Sequence, residues 1–138
     1  MLTQAKANEL IAKAKEAVRT DVFTWLHNER QEELFLAVED AGLQFLLSLK
    51  RNPYEIRLQL RTKDRHIPLA RIDNAAQHPN PDGTIIRGPH IHWFREGEGL
   101  AWAEPIDWYQ LDRPVDTLVR FLDVVHARFP KGFQEALL

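Results

Sequence analysis

From Tyr54 to Arg61 the chain alternates without a break. Tyr54, Ile56, Leu58 and Leu60 are set against Glu55, Arg57, Gln59 and Arg61. A period of two fits a strand with one buried and one wet face, and it does not fit a helix. The pattern predicts a sheet covered on one side, with Tyr54, Ile56, Leu58 and Leu60 buried together and Arg57 exposed. Residues 22–26, 33–39 and 43–50 read as further strands, broken at Glu29-Arg30-Gln31, Asp40-Ala41-Gly42 and Asn52-Pro53. Residues 68–73, 89–95 and 100–106 continue the series, and a long polar loop spans 74–88.

Helical spacing flanks these strands. Thr3 is placed to cap a helix running to about Val18, with Leu10, Ile11, Ala14 and Val18 as its apolar stripe. Near the other end Pro114 suits a first helical position, with Asp112 as its cap. Val115, Leu118, Phe121, Leu122, Val125 and Phe129 then form an amphipathic stripe that Pro130 and Gly132 would stop. The order is N-terminal helix, antiparallel sheet of about five to seven strands, C-terminal helix. That is a single α+β domain over residues 1–138, with both helices on one face of the sheet.

Composition narrows the chemistry. The chain has no cysteine, which excludes disulfides, thiolate zinc ligands and a cysteine nucleophile. A net charge of −2 argues against tight non-specific duplex binding, so any nucleic-acid contact must come from a local patch. No apolar run approaches the ~20 residues that span a bilayer. The Lys- and Glu-rich N-terminal stretch lacks the apolar core of a signal peptide. The expectation is a cytoplasmic protein with no membrane partner. No glycine-rich phosphate loop, serine nucleophile elbow or HExxH motif is present, and no organic cofactor is expected.

Three of the six histidines, His78, His90 and His92, cluster in and after the polar loop. On a strand, His90 and His92 share a face about 6.5–7 Å apart, while Ile91 and Trp93 face the core. Two imidazoles at this spacing can hold a divalent metal, or act as acid and base on one substrate. Pairing of the strands carrying Asp73 and His90 would bring Asp73 and His78 to the same place. Shared work requires a polar cleft around the pair. Imidazoles capped by backbone carbonyls beneath the loop would argue against the acid–base role. The alternatives are a solvated pair of surface histidines and, for Pro79 to Gly83, a plain hairpin tip. Arg57, Arg61 and Arg71 form a second group whose guanidinium forks suit phosphate oxygens; a solvated face with Glu55 as partner is the other reading. Trp25, Trp93, Trp102 and Trp108 read as core and rim packing, and His126 as a helix-flank residue.

The run from Arg71 through Asp73, Asn74, Ala75 and Ala76 to His78-Pro79, followed by Pro89-His90-Ile91-His92, resembles the signature of the TumE-like toxin family of bacterial toxin–antitoxin modules. Asn80-Pro81-Asp82-Gly83 followed by Pro89-His90-Ile91-His92-Trp93 is similar to a related group of prokaryotic and prophage-associated proteins, which is the closer match. The resemblance covers roughly residues 54–106. It implies a toxin-like protein that acts on RNA and pairs with a small antitoxin protein. In that reading His90 and His92 are base and acid in either order, His78 is the reserve acid, Arg71 stabilises phosphate and Asp73 orients a histidine. A metal-dependent variant would use the same histidines with Asp73 as ligands. The competing reading is a non-enzymatic interaction or regulatory protein of phage or mobile-element origin.

Overall fold

The computed structural model describes residues 1–137. Its elements in chain order are α1 (Gln4–Ala12), β1 (Lys15–Ala17), β2 (Phe23–Trp25), β3 (Gln31–Ala37), β4 (Gln44–Arg51), β5 (Ile56–Thr62), β6 (Pro68–Asp73), β7 (Gln77–Pro79), β8 (Ile85–Arg87), β9 (His90–Trp93), β10 (Ala103–Pro105), α2 (Pro114–Val124), β11 (Ala127–Arg128) and β12 (Phe133–Glu135). The fold is α+β, with a helix near each end of the sequence. Eight strands form one sheet in the order β10-β9-β6-β5-β4-β3-β1-β11, antiparallel except for the β1–β11 pair. Two small ribbons, β2–β12 and β7–β8, stand apart from it. No helix among the described residues is long and apolar enough to cross a membrane.

The alternation of β5 runs across its neighbours because directly paired residues share a face. Leu49, Leu58, Ile72 and Ile91 form one such row on the apolar side. Ser48, Gln59, Arg71 and His92 form the corresponding row on the polar side. The apolar rows join Ala7 and Leu10 of α1, and Leu118, Phe121 and Leu122 of α2, in one buried cluster with Phe35, Phe45 and Trp25. Both helices therefore pack into the core that the apolar face creates.

Several local expectations change. Tyr54 is 82% exposed rather than buried. Asn52 Oδ1 accepts the N–H groups of Tyr54 and Glu55, so the turn extends and the strand starts only at Ile56. α1 stops at Ala12 instead of near Val18, which is exposed. Lys15 turns inward there, and its Nζ donates to the carbonyls of Ile11, Lys13 and Val125 at 2.8–2.9 Å, satisfying chain ends that the helices leave open. Asp112 does not cap α2; Arg113 takes the N-cap position without a side-chain bond, and Pro114 begins the helix. α2 ends at Val124, and His126 adopts a left-handed backbone (φ 59°) that turns the chain into β11. Phe129 is thus a core residue beyond the helix, stacked on Phe23. The sheet exceeds seven strands because β1 and β11, three and two residues long, are too short to carry a periodic signal.

Leu122 is 4% exposed within this cluster. Leu122→Ala should cost about 2–5 kcal/mol in a urea denaturation series. A loss under about 0.5 kcal/mol would place α2 outside the cooperative core.

Candidate metal centre

The polar row of the sheet ends at β9, where His90 lies opposite Asp73 and His92 opposite Arg71. Both histidines thus point to the polar face, as their spacing requires, yet each is only 1% exposed. The cover is the β7–β8 ribbon, with Leu100 and Ala101. The long polar loop of the sequence is therefore a folded hairpin. Asn80 accepts the N–H of Gly83 at its tip, and Gly83 takes the positive φ (88°) that the turn demands. Asn80 also clamps the hairpin to β10: its Nδ2 donates to Ala103 O at 3.0 Å and its Oδ1 accepts Ala103 N–H at 2.9 Å. This clamp holds His78 over the other two histidines. Ring centroids lie 5.5 Å apart for His78–His90, 4.7 Å for His78–His92 and 4.8 Å for His90–His92.

Each imidazole spends one nitrogen on a backbone carbonyl. His90 Nδ1 meets Gly88 O at 2.8 Å, His92 Nδ1 meets Leu100 O at 2.7 Å, and His78 Nε2 meets Ala101 O at 2.8 Å. A carbonyl only accepts, so these nitrogens carry the protons. The lone pairs left over are on His78 Nδ1, His90 Nε2 and His92 Nε2. One ligand nitrogen from each ring lies within 4.8 Å of those of the other two. His92 Nε2 is buried and has no hydrogen-bond partner. An ion bound at about 2.0–2.1 Å in tetrahedral geometry would draw the three nitrogens to about 3.4 Å of one another. Backbone carbonyls behind the imidazoles are the usual outer support of metal-binding histidines.

Burial holds the pKa of His92 down at about 4, against the Leu100 carbonyl, which favours the protonated ring; Arg71, His90 and His78 add to the depression. A ring that stays neutral at pH 7 is able to bind a metal and is a poor proton donor. The polar cleft expected around an acid–base pair is therefore not what surrounds His90 and His92: both are carbonyl-capped and buried beneath the hairpin. Asp73 is half-buried beside them and does not orient a ring; its Oδ1 accepts the Ala75 N–H at 2.8 Å. It also stands outside the three-histidine group.

The arginines divide. Arg57 and Arg71 line a cleft on the polar face of β4–β6, whereas Arg61 is held by Ser48 Oγ at 2.6 Å and Glu32 at 2.9 Å. Sequence reasoning missed Asn80, whose role appears only when the hairpin closes on β10, and Lys50 and Arg30, which join the cleft. Trp25 is core, while Trp102 sits at the rim under Arg95, 4.0 Å from its ring.

A family of unknown function, DUF6978, matches residues 2–127, which takes in both helices, the hairpin and every residue of the centre. The chain belongs to that family. No curated protein and no solved structure matches it. As a DUF6978 member, the chain has the histidine cluster as the observation that says most about its chemistry.

Without metal, the depressed pKa of His92 has a sign. Below its ordinary pKa of 6.5 the unfolded chain binds a proton that the native ring refuses until about pH 4. Stability present above pH 6.5 should fall between pH 6.5 and 4, by up to about 3 kcal/mol, and level off below. Urea midpoints of chelator-treated protein across that range test this. A flat profile, or one that His92→Gln leaves unchanged, would contradict it.

Proposed function

We propose that this chain is a metal-dependent hydrolase of phosphodiesters, with His78, His90 and His92 holding one divalent ion and RNA as the substrate. The observation that carries the reading is that one ligand nitrogen from each of three carbonyl-backed imidazoles lies within 4.8 Å of the other two, while His92 Nε2 is buried without a partner. Three neutral imidazoles leave the ion its full charge. Imidazole ligation suits zinc, copper, iron and nickel, and three histidines with an open position match a catalytic zinc site. Structural zinc sites take four protein ligands and catalytic ones three; among the described residues no fourth His, Asp or Glu joins the group. The remaining position suits a water whose pKa falls toward 7.

Arg71, opposite His92, supplies the second requirement, a cation beside the reacting phosphate. An ion held by the three histidines would supply the Lewis acidity that activates a water for attack on phosphorus; a P–O bond to that water's oxygen would form, the P–O bond to the leaving ribose oxygen would break, and the proton lost by the water would end on that leaving oxygen. The resemblance of Arg71 to Trp93 to the toxin signature supports RNA as the substrate and a small antitoxin as the protein partner.

A second reading rests on the 1% exposure of His90 and His92. There the ion staples the hairpin to the sheet of a non-enzymatic interaction protein.

Titration calorimetry should detect one Zn²⁺ per chain, and His92→Ala should abolish binding. Asn80→Ala removes no ligand but frees the hairpin, and should weaken zinc about 10–100-fold. Zinc-loaded protein should cleave labelled single-stranded RNA and arrest growth on induction, and His92→Ala should do neither. Zinc that raises the melting temperature without cleavage selects the staple. Failure to bind zinc, or cleavage that survives His92→Ala, overturns the metal-dependent reading.

A further inference from the structure

The polar face of the sheet carries a second feature beside the histidines. A cleft of about 370 Å³ opens over β4, β5 and β6, lined by Arg30, Lys50, Arg57 and Arg71 together with Ser48 and Gln59. No carboxylate lines it among the described residues. Lys50 and Arg57 are directly paired across β4 and β5. Like charges in that position destabilise a sheet. Arg57 reaches Glu55 at 3.8 Å and Arg30 reaches Glu32 at 3.3 Å, both pairs at the surface. Such pairs are weak and give way readily to a better anion. Among the described residues no ion pair holds Lys50 or Arg71, and Arg71 Nε is buried without a hydrogen-bond partner.

Four cations kept together against their own repulsion, one with an unsatisfied buried donor, are arranged for an anion that bridges them. We propose that this cleft binds the phosphodiester backbone of a single-stranded nucleic acid. The cations do not converge on a point. They are distributed over neighbouring strands and offset along them, so Lys50 on β4 and Arg71 on β6 stand about 12 Å apart. A lone phosphate can engage two of them at once; successive phosphates of one strand can engage all four. Arg71 belongs to both features, lining the cleft and pairing across the sheet with His92. The bound strand therefore runs from Lys50 and Arg57 across Arg71 toward the histidines. That direction rests on the hydrolase reading; binding in the cleft does not, because none of the four cations is a metal ligand.

The test is fluorescence anisotropy of the full chain, supplied with Zn²⁺, against labelled single strands of about eight nucleotides, as RNA and as DNA, over a salt series. Four phosphate contacts predict a slope of log K on log salt near −3, since each contact on a single strand contributes about −0.7. Lys50→Gln/Arg57→Gln should weaken binding roughly 25-fold at 0.1 M salt and flatten the slope by about 1.4. Its melting temperature should not fall, because the variant removes a repulsion. Arg30→Gln, on the exposed rim, should flatten the slope by about 0.7 and serves if the double variant misfolds. Binding of either RNA or DNA sustains the proposal. An unchanged slope in both variants, or tight binding of a mononucleotide with none of either oligomer, overturns it. Chelation separates the two readings: it should abolish cleavage while leaving the binding slope in place.

Discussion

The period-two alternation of the central strands decides what the molecule buries and what it presents. Once Leu58 and Leu60 face the helices, strand pairing carries the choice outward residue by residue. Leu49, Ile72 and Ile91 must join the core, and Ser48, Gln59, Arg71 and His92 must share the other side. A slip of one residue in any register would exchange the two sets, placing Arg71 and His92 in the apolar core. The cost of burying unpaired charge and imidazole there holds the register as firmly as the gain from burying leucine. The same constraint that builds the core therefore aligns the cationic cleft with the histidines.

The histidine cluster is the place where this economy is broken. The polar face of an antiparallel sheet is ordinarily solvated, yet here a hairpin closes over it and takes two histidines almost wholly out of water. Three carbonyls satisfy one nitrogen of each ring, and the clamp of Asn80 on Ala103 keeps the hairpin in place. One ligand nitrogen from each ring lies within 4.8 Å of those of the other two. Imidazoles crowded in this way leave His92 Nε2 buried and unpartnered, so it loses hydration without recovering it from the protein. In the proposed reading a shared divalent ion would return that loss in a single step and would couple hairpin closure to metal binding.

Legibility in the sequence followed the length of the pattern. β5 and the shared face of His90 and His92 were readable because strict alternation allows one conformation. The start of β5 was not, because the Asn52 side chain captures two backbone N–H groups and lifts Tyr54 into solvent, an effect that hydropathy does not register. The end of α1 was hidden by Lys15, a charged residue whose burial depends on carbonyls contributed by both ends of the chain. His78 was seen as a neighbour of the pair, but its place above them depends on the hairpin, and Asn80-Pro81-Asp82-Gly83 announces a turn without saying what the turn covers. Asp73 was a reasonable ligand by register, opposite His90, and its carboxylate turns instead to the next backbone N–H. Lys50 carries no signal of its own in the sequence, because its place in the cleft depends on the register that sets it opposite Arg57.

The central claim is that His78, His90 and His92 share one ion. Anomalous diffraction at the zinc absorption edge, from crystals of the full chain grown with Zn²⁺, addresses it without reference to any activity. The account predicts a single strong peak about 2.0–2.1 Å from His78 Nδ1, His90 Nε2 and His92 Nε2, with the three carbonyl contacts retained. A peak elsewhere, or ordinary water density between three imidazoles in zinc-soaked crystals, would contradict it.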